Sequence, residues 1–132
     1  MLRKNRPITP GLGVYKIIGF NRDSIGSTTS FLNRPTGFAL YALPLLFILW
    51  SFALLKGPDA YQFFIQIVHH PISLAILFLV SLAFFFHLLN GFRYVLISTG
   101  MFLNKESFIN SARFVVLATL VLTAAAWYFI LV

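Results

Sequence analysis

The chain has 132 residues, of which 59% are hydrophobic and only 10% charged, against about 45–50% apolar and about 25% charged in an average soluble domain. Water is not its main solvent, so membrane spans rather than a soluble core are the units to count. Cysteine is absent and the acids are only Asp23, Asp59 and Glu106, which excludes disulfides, thiolate metal sites and thiol catalysis; nothing in the sequence makes a carboxylate pair, so any redox chemistry uses a borrowed group and the chain is non-catalytic alone. The net charge of +7 comes from cations that flank apolar runs, which points to membrane topology and anionic phospholipid rather than to nucleic acid.

In chain order, residues 1–26 read as an arm on the inner membrane surface that touches a soluble partner. Pro7, Pro10, Gly11, Gly13 and Gly19 make this stretch a poor amphipathic helix, and it lacks the apolar core of a targeting peptide. Residues 27–132 read as an all-α integral membrane bundle of three transmembrane helices, with spans at about 30–55, 72–96 and 112–132. In the first span, Gly37 to Leu55 is free of charge. Pro44 cannot donate to the carbonyl of Leu40, so a kink is expected there, covered by a neighbouring helix or a Ser/Thr hydroxyl.

Gly57-Pro58 breaks the chain after the first span, and Tyr61, Phe64, Ile65 and Val68 then recur at helical spacing, with Gln62, Gln66 and His69 on the other side. This pattern predicts a short interfacial helix. His69 and His70 are adjacent and point in different directions on a helix, which suits a plain connection better than a metal site. Nine of the ten Lys and Arg residues lie in the N-terminal segment or between the second and third spans, and only Lys56 lies between the first two. The N-terminus and the second connection are therefore expected on the inner side.

Polar groups inside spans are functional candidates by default, because burying them is costly. They are His87, Arg93 and the cluster Ser27, Ser30, Asn33 and Arg34. A neutral imidazole at depth is a candidate axial ligand for haem iron, and Gly91, one turn on, would let a flat macrocycle approach. The alternative is a histidine bonded to a Ser or Tyr of another helix, with Gly91 serving helix packing. A haem held by two histidines would need its second ligand from another subunit. Arg34 and Arg93 read either as snorkelling side chains or as part of a pocket binding a carbonyl, a propionate or a phosphate. Ser30 and Arg34 share a face if their stretch is helical, which Pro35 disfavours unless the helix bends there.

Three stretches are familiar in order and spacing: Arg6-Pro7-Ile8-Thr9-Pro10-Gly11-Leu12-Gly13-Val14-Tyr15, Ser30-Phe31-Leu32-Asn33-Arg34-Pro35-Thr36-Gly37 and His87-Leu88-Leu89-Asn90-Gly91-Phe92-Arg93. They resemble the cytochrome b membrane-anchor subunit of succinate dehydrogenase, respiratory complex II, over nearly the whole chain. The resemblance implies an anchor that pairs with a second small membrane-anchor subunit, docks an iron–sulfur subunit and a flavoprotein subunit, and helps form the pocket where ubiquinone is reduced. It implies quinone-binding roles for Ser30 and Arg34, with Ser27 and Asn33 beside them, and a haem b ligated by His87 (metal: haem iron), with Gly91, Arg93 and Tyr94 around it. Asn33, Tyr94, Ser98 and Gly11 stand where the family pattern has His, His, an acid and His. The arm resembles mitochondrial and related bacterial members and begins at Arg6, so a transit peptide is not expected before it, and synthesis inside the organelle or a bacterium, or an internal import signal, is expected instead. The expected location is the mitochondrial inner membrane with the N-terminus in the matrix, or else a bacterial plasma membrane with the N-terminus cytoplasmic. A scaffold subunit without haem or quinone chemistry is the competing class. A small carrier is disfavoured, because no internal repeat or pair of broken helices is present.

Overall fold

The computed structural model describes residues 24–131, so the arm lies outside the described residues apart from its last three positions. All the elements there are helical: α1 (Ile25–Ala39), α2 (Ala42–Lys56), α3 (Pro58–Val68), α4 (Pro71–Ser98) and α5 (Lys105–Leu131). Three segments are long and apolar enough to cross a membrane, namely Ile25–Lys56, which comprises α1 and α2, then Pro71–Ser98 and Lys105–Ile130. Three helical segments thus have the length and composition of spans, and they begin at residues 25, 71 and 105, before the charge-free runs themselves.

The early start of α1 has a local cause. Thr28, Thr29 and Ser30 donate their hydroxyls to the carbonyls of Ser24, Gly26 and Gly26, at 2.9, 3.0 and 2.9 Å. A polar turn whose hydroxyls bond back to the helix leaves no donor stranded, so it can enter the bundle. The third span starts early because Asn104 caps α5, its Oδ1 accepting from the Ser107 amide at 2.8 Å.

The expected kink falls between α1 and α2, at Leu40 and Tyr41. With Pro44 unable to donate, the Leu40 carbonyl accepts from the Leu43 amide at 3.1 Å, so a tightened backbone turn covers it instead of a hydroxyl or another helix. Pro35, by contrast, is carried inside α1 without ending it, and Thr36 Oγ1 beside it donates to the Leu32 carbonyl at 2.7 Å. Ser30 and Arg34 therefore do share one helical edge.

Gly57, at φ 106°, turns the chain between α2 and α3 in a conformation that a side chain would strain. Along α3, Tyr61, Phe64, Ile65 and Val68 are half-buried while Gln62, Gln66 and His69 are exposed. Helices α2, α3 and α4 enclose an apolar groove of about 480 Å³. His69 Nδ1 donates to the Ile65 carbonyl at 2.9 Å, and His70 Nδ1 accepts from the Ile72 amide at 3.3 Å as the cap of α4, so the two rings serve helix ends.

Helix α4 packs on α5; the residues buried along α4 are Val80, Ala83, Phe86, Asn90 and Arg93, and those along α5 include Ile109, Ala112, Val115, Thr119 and Thr123, with Ile109 and Ala112 clustering around Ile25 of α1. Small and β-branched residues on α5 let the two backbones approach, as is usual where no hydrophobic force separates helix from lipid. Thr119 and Thr123 bond back to the carbonyls of Val115 and Thr119, at 2.7 and 2.8 Å, which allows them to be buried. At the far end of this pair, Trp127 Nε1 donates to Ser81 Oγ at 2.8 Å and its ring meets Phe78 edge-on. Helix α1 crosses α5 at Gly26, where a Cβ would collide with the ring of Phe108. Along α2 only Ala53 is buried, so that helix turns nearly all of its surface outward.

Candidate functional site between the three helices

The site grows out of one stretch of α4. Three residues of helix rotate a side chain by about 300°, a net 60° backwards. His87, Asn90 and Arg93 therefore fan across the helix, with His87 toward α1, Asn90 in the middle and Arg93 toward α5.

His87 Nδ1 lies 3.1 Å from the main-chain carbonyl of Asn33 and 3.4 Å from Thr36 Oγ1. A carbonyl can only accept, so Nδ1 carries the proton and Nε2 is the nitrogen with the free lone pair. The ring edge rests on Gly37, where a Cβ would stand 2.8 Å from Cε1. Any larger residue at position 37 would push the imidazole off α1.

Asn90 is fully buried, at 0% exposure. Its Nδ2 donates to the Thr29 carbonyl and to Asn33 Oδ1, both at 3.1 Å. Arg93, 3% exposed, donates from Nη1 to Asn90 Oδ1 at 3.5 Å, from Nε to Ser111 Oγ at 2.9 Å and from Nη2 to the Phe108 carbonyl at 3.2 Å. Its guanidinium also sits 4.4 Å above the Phe108 ring. Of the two readings of Arg93, snorkelling does not fit this burial. The side chain turns into the bundle because α5 offers a hydroxyl, a carbonyl and an aromatic face that match its planar fork.

The remaining candidates divide into two groups. Ser27, Ser30 and Arg34 are exposed and lie three and four residues apart, on one edge of α1. Tyr94 reaches this edge from α4 and donates its hydroxyl to Ser30 Oγ at 2.7 Å. Asn33, expected with that group, instead turns into the seam between α1 and α4 with His87. Gly91 has nothing within 4 Å of where a Cβ would stand, so among the described residues no helix packs against it. Asn90, Gly26 and Gly37 were not singled out from the sequence. Asn90 had a readable signal, as an amide in mid-span midway between His87 and Arg93.

A histidine held between the helices of a three-helix bundle of membrane-spanning composition, beside open space at a glycine one turn on, defines an integral membrane protein with a positioned imidazole. The family model described as "Succinate dehydrogenase/Fumarate reductase transmembrane subunit" matches residues 2–126, and the chain belongs to that family. It is 30% identical over 120 residues to the "Succinate dehydrogenase cytochrome b556 subunit" of Paracoccus denitrificans, covering 91% of this chain and 88% of the relative. The protein of the same name from Rickettsia felis is 31% identical over 122 residues, covering 92% and 90%. No solved structure matches the chain significantly.

Proposed function

We propose that this chain is the anchor subunit of a succinate:quinone oxidoreductase in which His87 ligates haem b and the Ser27–Ser30–Arg34 edge of α1 helps bind ubiquinone. The observation that carries the reading is the hydrogen bond from His87 Nδ1 to the Asn33 carbonyl. A ligating imidazole ordinarily donates its other N–H to a carbonyl or carboxylate, which fixes the ring and raises its basicity. The residues present fit the group: Nε2 is left as the lone-pair nitrogen, and the face one turn on at Gly91 is open. Bound there, haem would supply a one-electron carrier, with its second axial ligand drawn from a second small membrane-anchor subunit.

On the exposed edge, Arg34 is the group suited to draw charge toward a quinone carbonyl, since a guanidinium donates as a cation. Ser30 gives its hydrogen to the Gly26 carbonyl and accepts from Tyr94. It must rotate away from Gly26 before it can donate to a substrate, and Tyr94 keeps the oxygen partnered meanwhile. Asn33 acts by holding α1 to α4, and Arg93 and Tyr94 support the site from its flanks. The iron–sulfur and flavoprotein subunits dock on the N-terminal side, and the excess of Lys and Arg there supports placing it in the cytoplasm or matrix. Helix α3 then lies in the opposite interface, among phospholipid headgroups. The bacterial relatives favour the plasma membrane, with the mitochondrial inner membrane the other reading.

The reading is tested on the purified complex. A pyridine-haemochrome spectrum should report haem b in wild type and its loss in His87→Ala. Arg34→Ala should lower quinone reduction roughly 100-fold, the scale on which removing one preorganised donor acts. Succinate oxidation with an artificial acceptor should continue at the wild-type rate. An unchanged quinone rate would discard the pocket assignment.

A further inference from the structure

The polar chain through the bundle has only one possible sense. The Arg93 guanidinium only donates, so the oxygen of Asn90 must face it, and the Asn90 amide must face the Thr29 carbonyl and Asn33 Oδ1. Asn33 is thus gripped twice by α4: its side chain accepts from Asn90, and its main-chain carbonyl accepts from His87 Nδ1. The second neighbour of Nδ1, the Thr36 hydroxyl at 3.4 Å, gives its own proton to the Leu32 carbonyl at 2.7 Å and so can only accept from Nδ1, at longer range. The Asn33 carbonyl, at 3.1 Å, is the nearer of the two acceptors that hold the imidazole proton on Nδ1.

We propose that Asn90 is a positioning residue for His87, pinning Asn33 so that its carbonyl takes the Nδ1 proton and Nε2 is left to bind a metal. A solely structural amide would stabilise the bundle without governing the state of the ring. For its functional meaning the inference rests on the haem reading; the tautomer does not depend on it.

The test uses the assembled complex carrying this subunit with ¹⁵N-histidine. The His87 resonances are isolated in bilayers by difference from His87→Gln, and haem is measured per flavin. In wild type, His87 should be a single neutral form with the proton on Nδ1. In Asn90→Leu that signal should divide between tautomers, and haem retention should fall about 10-fold, as when a group orienting a metal-bound histidine is lost. Should Asn90→Leu fail to assemble, Asn90→Asp is read the same way, since it keeps the shape and the Arg93 partner but offers no amide N–H. An assembled variant with unaltered ring signals and haem content overturns the proposal. Wild-type complex without haem would defeat the haem reading instead, and the ring signals would still decide the part played by Asn90.

Discussion

Arg93→Leu is expected to destabilise the bundle by roughly 3 kcal/mol, as the buried Asn90 oxygen loses its donor and the Phe108 ring loses its cation. The cost arises because the guanidinium ties α4 to Ser111 and Phe108 of α5 beside the buried Asn90, far along the helix pair from the Trp127–Ser81 bond. Nε, Nη1 and Nη2 each hold a different acceptor, on Ser111, Asn90 and Phe108. Arg93→Lys should recover only part of the loss, because an ammonium on a single stem lacks the fork that reaches all three. Thermal unfolding of the detergent-solubilised complex measures both variants. The loss should persist in complex stripped of haem, which separates a tie between helices from a side chain that serves only the propionates. An Arg93→Leu complex as stable as wild type would mean that the side chain does not turn inward.

The second large effect is expected at Gly91, and it has the opposite character. Among the described residues a Cβ there meets nothing within 4 Å, and replacing glycine in mid-helix by leucine gains about 0.8 kcal/mol of intrinsic helix stability. Gly91→Leu should therefore leave the subunit folded and the complex assembled. It should lower haem per flavin roughly tenfold, comparable to losses on altering the surroundings of a metal ligand. If Gly91 faces a helix of the partner anchor, the variant would instead prevent assembly, with haem and flavin lost together. Absorbance of the purified complex, normalised to flavin, distinguishes the two outcomes.

Much of the fold was legible because the features that carry it are one-dimensional. Charge-free runs give spans, and a missing amide at Pro44 gives a kink whose position follows from the i to i−4 bond it removes. The starts of α1 and α5 were harder to read. Thr28, Thr29 and Ser30 look like loop residues until their hydroxyls are known to bond backwards, and an Asn cap is weak without the helix after it. His87 stood out as an imidazole in an apolar run. The network around it did not, since the roles of Asn33 and Asn90 depend on a crossing between α1 and α4 that periodicity does not encode. The same holds for Gly26 and Gly37, whose need to be glycine comes from Phe108 and His87, residues 82 and 50 positions away. Arg93 was left with two readings for a related reason. Its distance from the span's end allowed snorkelling, while its inward course is set by Ser111 and the Phe108 carbonyl on another helix.

Of all these measurements, a density map of the intact complex bears most directly on the haem assignment. A tetrapyrrole with its iron bonded to His87 Nε2, and with Nδ1 still against the Asn33 carbonyl, is the result expected. Lipid tails or side chains packed around the imidazole, with Nε2 bonded to a neighbouring helix, would contradict it.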